Sequence, residues 1–252
     1  MSPTSPSPRV VETAIAVLIG NELLSGKVHE ANLVELARTL RSLGISLRRV
    51  VVIPDELDLI AEEVGAASRS HDVVFTSGGV GPTHDDVTIE AVARAFGVGA
   101  RVDASMAEML RAAYGERCTE HHLRMALVPE GAALASTADE RWPTVVMNNV
   151  WVLPGVPQIF RSKLSVLRAF LRGPQAFCSR AVLTRLDEGK LKPLLDRVVA
   201  EHPGVDVGSY PKWFDASYKT KITFDSRDAA AVDAALEAFV ATLAATDIAG
   251  IE

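Results

Sequence analysis

Val73-Val74-Phe75-Thr76-Ser77-Gly78-Gly79-Val80-Gly81-Pro82-Thr83-His84-Asp85-Asp86-Val87-Thr88 runs from a buried-strand pattern through a glycine turn to two adjacent carboxylates where a helix should open. Gly78, Gly79 and Gly81 let backbone N–H groups approach a ligand and take positive φ without strain, and a helix opening near Val87 adds partial positive charge. Asp85 and Asp86 repel a phosphate unless a divalent cation, Mg²⁺ or Mn²⁺, takes oxygen ligands from both. The stretch therefore predicts a phosphate held through a metal. In the simpler alternative, Asp85 or Asp86 only caps the helix.

Outward from this stretch the chain alternates apolar runs with helical periodicity. Runs at 14–19, 50–53 and 73–75 are separated by segments of helical spacing, the βαβ rhythm of a parallel sheet. Leu33, Leu36, Ala37 and Leu40 mark one helix, stopped by Gly44; others are expected over 56–69 and 87–96. Helices are also expected over 103–114 and 120–127, with a strand at 132–135. Strands at 144–147 and 150–153 flank Asn148-Asn149, a pair suited to a tight hairpin, and a helix over 158–171 follows. Continuous apolar strands need cover on both faces, so residues 10–172 are read as a three-layer α/β/α domain with a mostly parallel sheet. Gly173-Pro174 is the expected boundary. Residues 175–252 read as a small α+β domain with strands at 180–185, 205–209 and 218–225 and helices at 191–200 and 228–245.

Composition narrows the function classes. The 252 residues, 48% hydrophobic and 23% charged, fit a globular chain with one sizeable core and a small satellite domain. Residues 1–8 have nothing to bury, and a disordered tail over 1–9 is expected. The apolar run that follows is broken by Glu12 and halted by Gly20-Asn21-Glu22, too short for a membrane span and unlike a signal peptide. A cytoplasmic protein without a membrane partner is expected. Cys118 and Cys178 lack CxxC spacing, so neither a disulfide framework nor a zinc site is indicated. The net charge of −6 without a Lys/Arg cluster argues against nucleic acid.

In an open parallel sheet, ligands sit beyond the carboxyl ends of the strands. Four turn-rich segments follow candidate strands: 20–26, Pro54-Asp55, 77–86 and 154–157. Parallel strands would bring Asn21, Glu22, Ser25, Asn32, Asp55, Asp85, Asp86 and Thr88 to one edge. Taken singly, each has a plain local role: Asn21 bends the chain, Ser25 caps the helix carrying Asn32, and Asp55 caps the next helix. His84 is a candidate proton donor or a bystander, and His121 and His122 lack metal-ligand spacing. Residues 20–27 fail the P-loop pattern, and 79–84 lack the third glycine of a dinucleotide fingerprint.

The stretch 77–88, together with Gly-Asn-Glu-Leu-Leu-Ser-Gly at 20–26 and Leu-Pro-Gly-Val-Pro at 153–157, resembles the molybdopterin-binding domain family, which includes molybdopterin adenylyltransferases and the competence/damage-inducible protein A group. Arg-Thr-Leu-Arg-Ser-Leu-Gly at 38–44, Val-Ile-Pro-Asp-Glu at 52–56, the run 148–157 and Gly208-Ser209-Tyr210-Pro211 are more similar still to the molybdopterin-binding-like region of eukaryotic FAD synthetases. Those relatives make FAD with a further C-terminal domain; this sequence stops at Glu252, and FAD synthesis is not expected. One departure is Arg141-Trp142-Pro143-Thr144, where the damage-inducible group usually carries Thr-Ala-Pro-Gly.

The resemblance implies a domain gripping an AMP-linked or pterin-linked phosphate. In these branches it implies a metal-dependent hydrolase that cuts the pyrophosphate of FAD or ADP-ribose. The positions matching the catalytic carboxylates of the adenylyltransferases are Asp55 and Asp86, and Asp85 joins them as a candidate catalytic residue. Asp55 and Asp86 would hold the cation (Mg²⁺, Mn²⁺ or Co²⁺), and Asp85 would orient water. The ligand-binding set comprises Gly20, Asn21, Glu22, Ser25, Asn32, Ser77, Gly78, Gly79, Gly81, Pro82, Thr83, Thr88, Pro154 and Gly155, with molybdopterin a further possible ligand. Adenylylation of molybdopterin and a non-catalytic nucleotide-binding module are the competing functions. A homo-oligomer, a dimer first, is expected by analogy with relatives.

Overall fold

The computed structural model describes residues 6–213 and 217–252. Most of the expected tail, residues 1–5, lies outside the described residues. At its far end, Arg9–Val10 already pairs in parallel with Leu171–Arg172. The described chain divides into two compact units, one ending at Pro174 and the other starting at Gln175.

The first unit is built around β1 (Thr13–Ile19), α1 (Asn32–Ser42), β2 (Ser46–Ile53), α2 (Leu57–Ser70), β3 (Val73–Ser77) and α3 (Thr88–Ala95). An excursion follows: β4 (Ala100–Val102), α4 (Ala104–Tyr114) and β5 (Leu127–Pro129). The chain then returns through β6 (Ala133–Ala135), β7 (Thr144–Met147), β8 (Val150–Leu153) and α5 (Pro157–Phe170). The six-stranded sheet has the order β2-β1-β3-β8-β7-β6. Its first four strands are mutually parallel, and β7 and β6 continue it antiparallel.

Side-chain alternation explains why β1 reads as a continuous apolar run. In β1, Ile15, Val17 and Ile19 face a core that includes Ile60 and Val64 of α2, Val92 of α3 and Met106 of α4. Ala14, Ala16 and Leu18 face the opposite core, with Leu36 and Leu40 of α1 and Phe160, Leu164 and Leu167 of α5. Period-2 alternation therefore buries both faces, giving the expected three layers. Gly44, at φ 77°, ends α1.

Two expectations fail locally in this unit. The helix expected over 120–127 is a single turn, Glu120–Leu123, then a 3-10 turn, Arg124–Ala126, after which Leu127–Pro129 pairs antiparallel with Ala100–Val102. Leu127 is already extended, at φ −66° and ψ 137°, and pairs with Val102, so its backbone is taken by the strand, and Pro129 keeps Val128 extended as well. The loop over 20–26 also contains a short helical turn, Asn21–Leu24.

The second unit comprises β9 (Cys178–Thr184), α6 (Glu188–Glu201), β10 (Asp206–Pro211), β11 (Thr220–Ser226), α7 (Ala229–Val240) and β12 (Ile248–Ile251). Its antiparallel sheet has the order β10-β11-β9-β12. Thr220, Ile222 and Phe224 are buried, while Lys221 and Thr223 are half-buried, as alternation requires. The helix expected over 228–245 ends at Val240, and Ile248–Ile251 adds an edge strand beside β9. Among the described residues, no helix is long and apolar enough to cross a membrane.

Candidate functional site

Parallel register decides where the loops go. Ile19 pairs with Ile53, Leu18 with Ser77, and Ser77 with Leu153, so β1, β2, β3 and β8 end along one edge. All four expected loops emerge there. Asp55 and Asp86 lie on loops from strands two steps apart, a separation of roughly 10 Å at the strand tips.

The glycine turn is fixed by crowding. Gly78 has φ 108°, and a Cβ there would sit 2.1 Å from the Ile19 carbonyl oxygen; at Gly79, φ is 64° and a Cβ would sit 2.3 Å from Thr88 Oγ1. Larger residues have no room at either position. Thr88 is buried and braces the turn: its hydroxyl donates to the Gly78 carbonyl at 2.9 Å, and its N–H to the Gly79 carbonyl at 3.0 Å. The Gly78 N–H is spent on the Leu153 carbonyl. Those of Gly79, Val80 and Gly81 donate to no protein acceptor among the described residues. Three successive amides thereby keep their donors unspent among the described residues.

Asn32 ties two loops together. Its Nδ2 donates to the Gly155 carbonyl at 2.8 Å and to Ser77 Oγ at 3.3 Å, and Ser77 in turn donates to the Pro154 carbonyl at 3.2 Å. Asn32 and Ser77 are both buried. Of the expected ligand-binding set, Asn32, Ser77 and Thr88 therefore serve as the frame, while Pro82 and Thr83 are exposed at the rim with Gly155.

The plain capping alternatives do not hold. Val87 is the cap residue of α3, and neither Asp85 nor Asp86 caps it. Asp55 does not cap α2, which begins after Glu56 without a side-chain cap; Asp55 Oδ2 instead accepts the Asn21 N–H at 2.7 Å. Nor does Ser25 cap α1: its hydroxyl donates to the Glu22 carbonyl at 3.3 Å, and Glu30 Oε1 accepts the N–H groups of Asn32 and Leu33. The longer Glu30 side chain reaches the helix start from two residues before it, which local preference for Ser does not foresee.

Two carboxylates converge on Thr83. Its hydroxyl lies 2.6 Å from Asp85 Oδ1 and 2.5 Å from Asp86 Oδ2, and its N–H donates to the same Asp86 oxygen at 2.8 Å. One hydroxyl proton serves only one of them at a time. The Thr83 hydroxyl holds the Asp85 carboxyl below the usual carboxylate range, and exposed His84, 3.9 Å away, adds a little. Asp55 and Asp86 each keep Oδ1 without a hydrogen-bond donor among the described residues. Among those residues, no group of three or more His, Cys, Asp or Glu side chains gathers to hold a metal ion.

One contact escaped the sequence reading. Arg124 Nη2 donates to Glu90 Oε1 at 3.0 Å and to the Asp86 carbonyl at 3.4 Å, steadying the acidic loop from the excursion. Thirty-eight residues separate Arg124 from Asp86, and no local motif announces the contact.

Comparison with known proteins agrees with this architecture. Residues 15–172 match the family of probable molybdopterin binding domains, and residues 176–251 match the FAD synthase middle domain. A protein of Archaeoglobus fulgidus is 33% identical over 226 residues, covering 89% of this chain and 95% of its own length. A probable FAD synthase of Caenorhabditis elegans is 30% identical over 256 residues, covering 88% of this chain but only 48% of that protein. The crystal structure of the protein CinA, of unknown function, from Thermoplasma acidophilum aligns with a TM-score of 0.58 and 30% identity, over 63% of this chain and 97% of that one. With its fold, its loop edge and the match over 15–172 in agreement, the chain belongs to the molybdopterin-binding domain family and carries, beyond it, a domain of the FAD synthase middle type.

Proposed function

We propose that the loop edge of the first unit binds a nucleotide pyrophosphate of the FAD or ADP-ribose class and hydrolyses it, releasing AMP, with a divalent cation. The observation that carries this reading is the pairing of opposites at the strand tips. Three unpartnered amides at 79–81 suit phosphate oxygens, while Asp55, Asp85 and Asp86 crowd the same edge with negative charge. Phosphate and carboxylates share such a space only with a cation between them.

The donor set fits a hard ion. Asp55 and Asp86 each offer one carboxylate oxygen, and Mg²⁺ is commonly held by one or two carboxylates plus substrate phosphate and water, so a third protein ligand is not required. Such an ion supplies charge neutralisation at the phosphate and lowers the pKa of bound water. The chain's own part is positioning. The amides at 79–81 fix the phosphate, the Asn32 brace keeps the loops of β3 and β8 together, and Asp85, held ionised by Thr83, accepts a hydrogen bond from an attacking water and orients it.

The test is chromatographic detection of AMP when the intact chain meets FAD or ADP-ribose with Mg²⁺, Mn²⁺ or Co²⁺. AMP should appear, and Asp86→Asn should suppress it by about 100-fold or more. No turnover with any of the three ions rejects hydrolysis, and adenylylated pterin formed from ATP would assign the same pocket to transfer instead.

A further inference from the structure

We propose that Arg141, on the loop over residues 136–143, recognises the far half of an extended ligand whose phosphate lies at the amides of 79–81. The inference rests on the phosphate reading above and adds a specificity-determining residue to it.

Register places this loop. Ala135 pairs with Thr144, and Val145 with Val152. Because β8 runs toward the ligand edge, antiparallel β7 starts there and β6 ends there. The loop joining β6 to β7 is therefore a fifth loop on that edge. It lies two to three strand steps from β3, roughly 10–14 Å at about 4.8 Å per step. A single phosphate in the glycine turn does not span that distance, whereas a dinucleotide does.

The loop is pinned on both sides of Arg141. Lys163 of α5, 2% exposed, donates from Nζ to Glu140 Oε1 at 3.0 Å and also to the Trp142 carbonyl. The Trp142 ring joins the core, Pro143 is buried, and Glu140 and Thr137 exchange hydrogen bonds at 3.2 Å. A buried ammonium is a poor source of stability compared with an apolar side chain of its size, but it fixes the groups it bonds. The backbone on either side of residue 141 is held while the Arg141 side chain is left exposed. It makes no hydrogen bond or ion pair among the described residues.

Charge favours this residue over its neighbours. The edge carries Glu22, Asp55, Asp85 and Asp86 and needs cations to accept an anionic, acceptor-rich ligand. Arg124 is already engaged by Glu90 and the Asp86 carbonyl. Lys27, on the first loop, is an exposed point charge on a flexible stem. Arg141 offers a planar fork that bonds carbonyl or phosphate oxygens in pairs and stacks on flat rings.

Calorimetric titration of the intact chain with AMP, ADP-ribose and FAD, with Mg²⁺ present and AMP release followed in the same samples, tests this. Arg141→Ala should weaken at least one extended ligand by about tenfold while AMP stays within about twofold, and Arg141→Lys should fall between. The affected ligand tells whether the guanidinium reads a sugar or a flat ring. Lys163→Met should give the same selective loss with Arg141 in place, and Glu140→Gln serves if that variant unfolds. Equal weakening of AMP and both extended ligands by Arg141→Ala, or no weakening, overturns the proposal and leaves the phosphate reading intact. Failure of the unmodified chain to bind any of the three rejects both.

Discussion

Asp55 Oδ2 accepts the backbone N–H of Asn21 at 2.7 Å, joining the loop after β2 to the loop after β1. The carboxylate thus shapes the rim with one oxygen and leaves the other without a hydrogen-bond donor among the described residues, which is where the proposed cation would bind. Asparagine retains an acceptor oxygen and loses the charge, so Asp55→Asn should fold as the parent does. Its AMP release from FAD or ADP-ribose should fall by about 100-fold and recover in part at high Mn²⁺. Initial rates across a metal titration check this; unchanged rates would remove Asp55 from the metal pair.

Asn32 is the hidden brace of the site. Removing its amide leaves buried Ser77 Oγ without a donor and frees the Gly155 carbonyl at the rim to water, so Asn32→Ala should cost about 1–2 kcal/mol. Urea unfolding measures the loss. Asn32→Asp should fare worse, because an ionised carboxylate would then face the Gly155 carbonyl.

Gly79→Ala should cost about 2–3 kcal/mol and abolish phosphate binding, since its Cβ would strike Thr88 Oγ1 and displace the amides at 79–81. Gly97→Ala is the matched control. Gly97 also has positive φ, at 67°, but nothing lies within 4 Å of the added Cβ, so only backbone strain of about 1 kcal/mol is expected, with AMP binding preserved. Thermal unfolding and calorimetry on the two variants separate the effects.

Acid stability should depend on Asp72. The N–H of Thr13, then that of Glu12, with the Thr13 hydroxyl, hold its carboxyl below the usual range where β1 begins. A depressed folded-state pKa means that the unfolded chain takes up the proton first. The contribution is present above the ordinary carboxylate pKa of about 4 and is lost as pH falls through the lower folded value. Asp72→Asn should therefore flatten the fall in melting temperature below about pH 5 while leaving the protein less stable at neutral pH. Melting curves at a series of pH values check the sign.

The central sheet was legible in the sequence because burial on both faces writes a strand as an unbroken apolar run, as in residues 14–19. The hairpin at Asn148 was legible too: that residue takes φ 55°, a conformation open to Asn. Ala100–Val102, exposed throughout, and Ile248–Ile251, with no residue buried, lack the buried apolar run that marks the equally short strands at 144–147 and 150–153, and were missed. At the site, the glycine turn and its carboxylates form one continuous motif. Arg124, Glu30 and the loop over 136–143 acquire their places only through tertiary contacts or strand register. Local preference favoured helix capping for Asp55, Asp85 and Asp86, and the fold turned Asp55 toward Asn21 and the other two toward Thr83 instead.

Anomalous diffraction from crystals grown with Mn²⁺ and AMP bears most directly on the shared pocket. The expected map has one manganese peak bonded to carboxylate oxygens of Asp55 and Asp86, with the AMP phosphate touching both the ion and the amides of 79–81. A phosphate bound away from those amides, or manganese absent from both carboxylates at saturating ion, would contradict it.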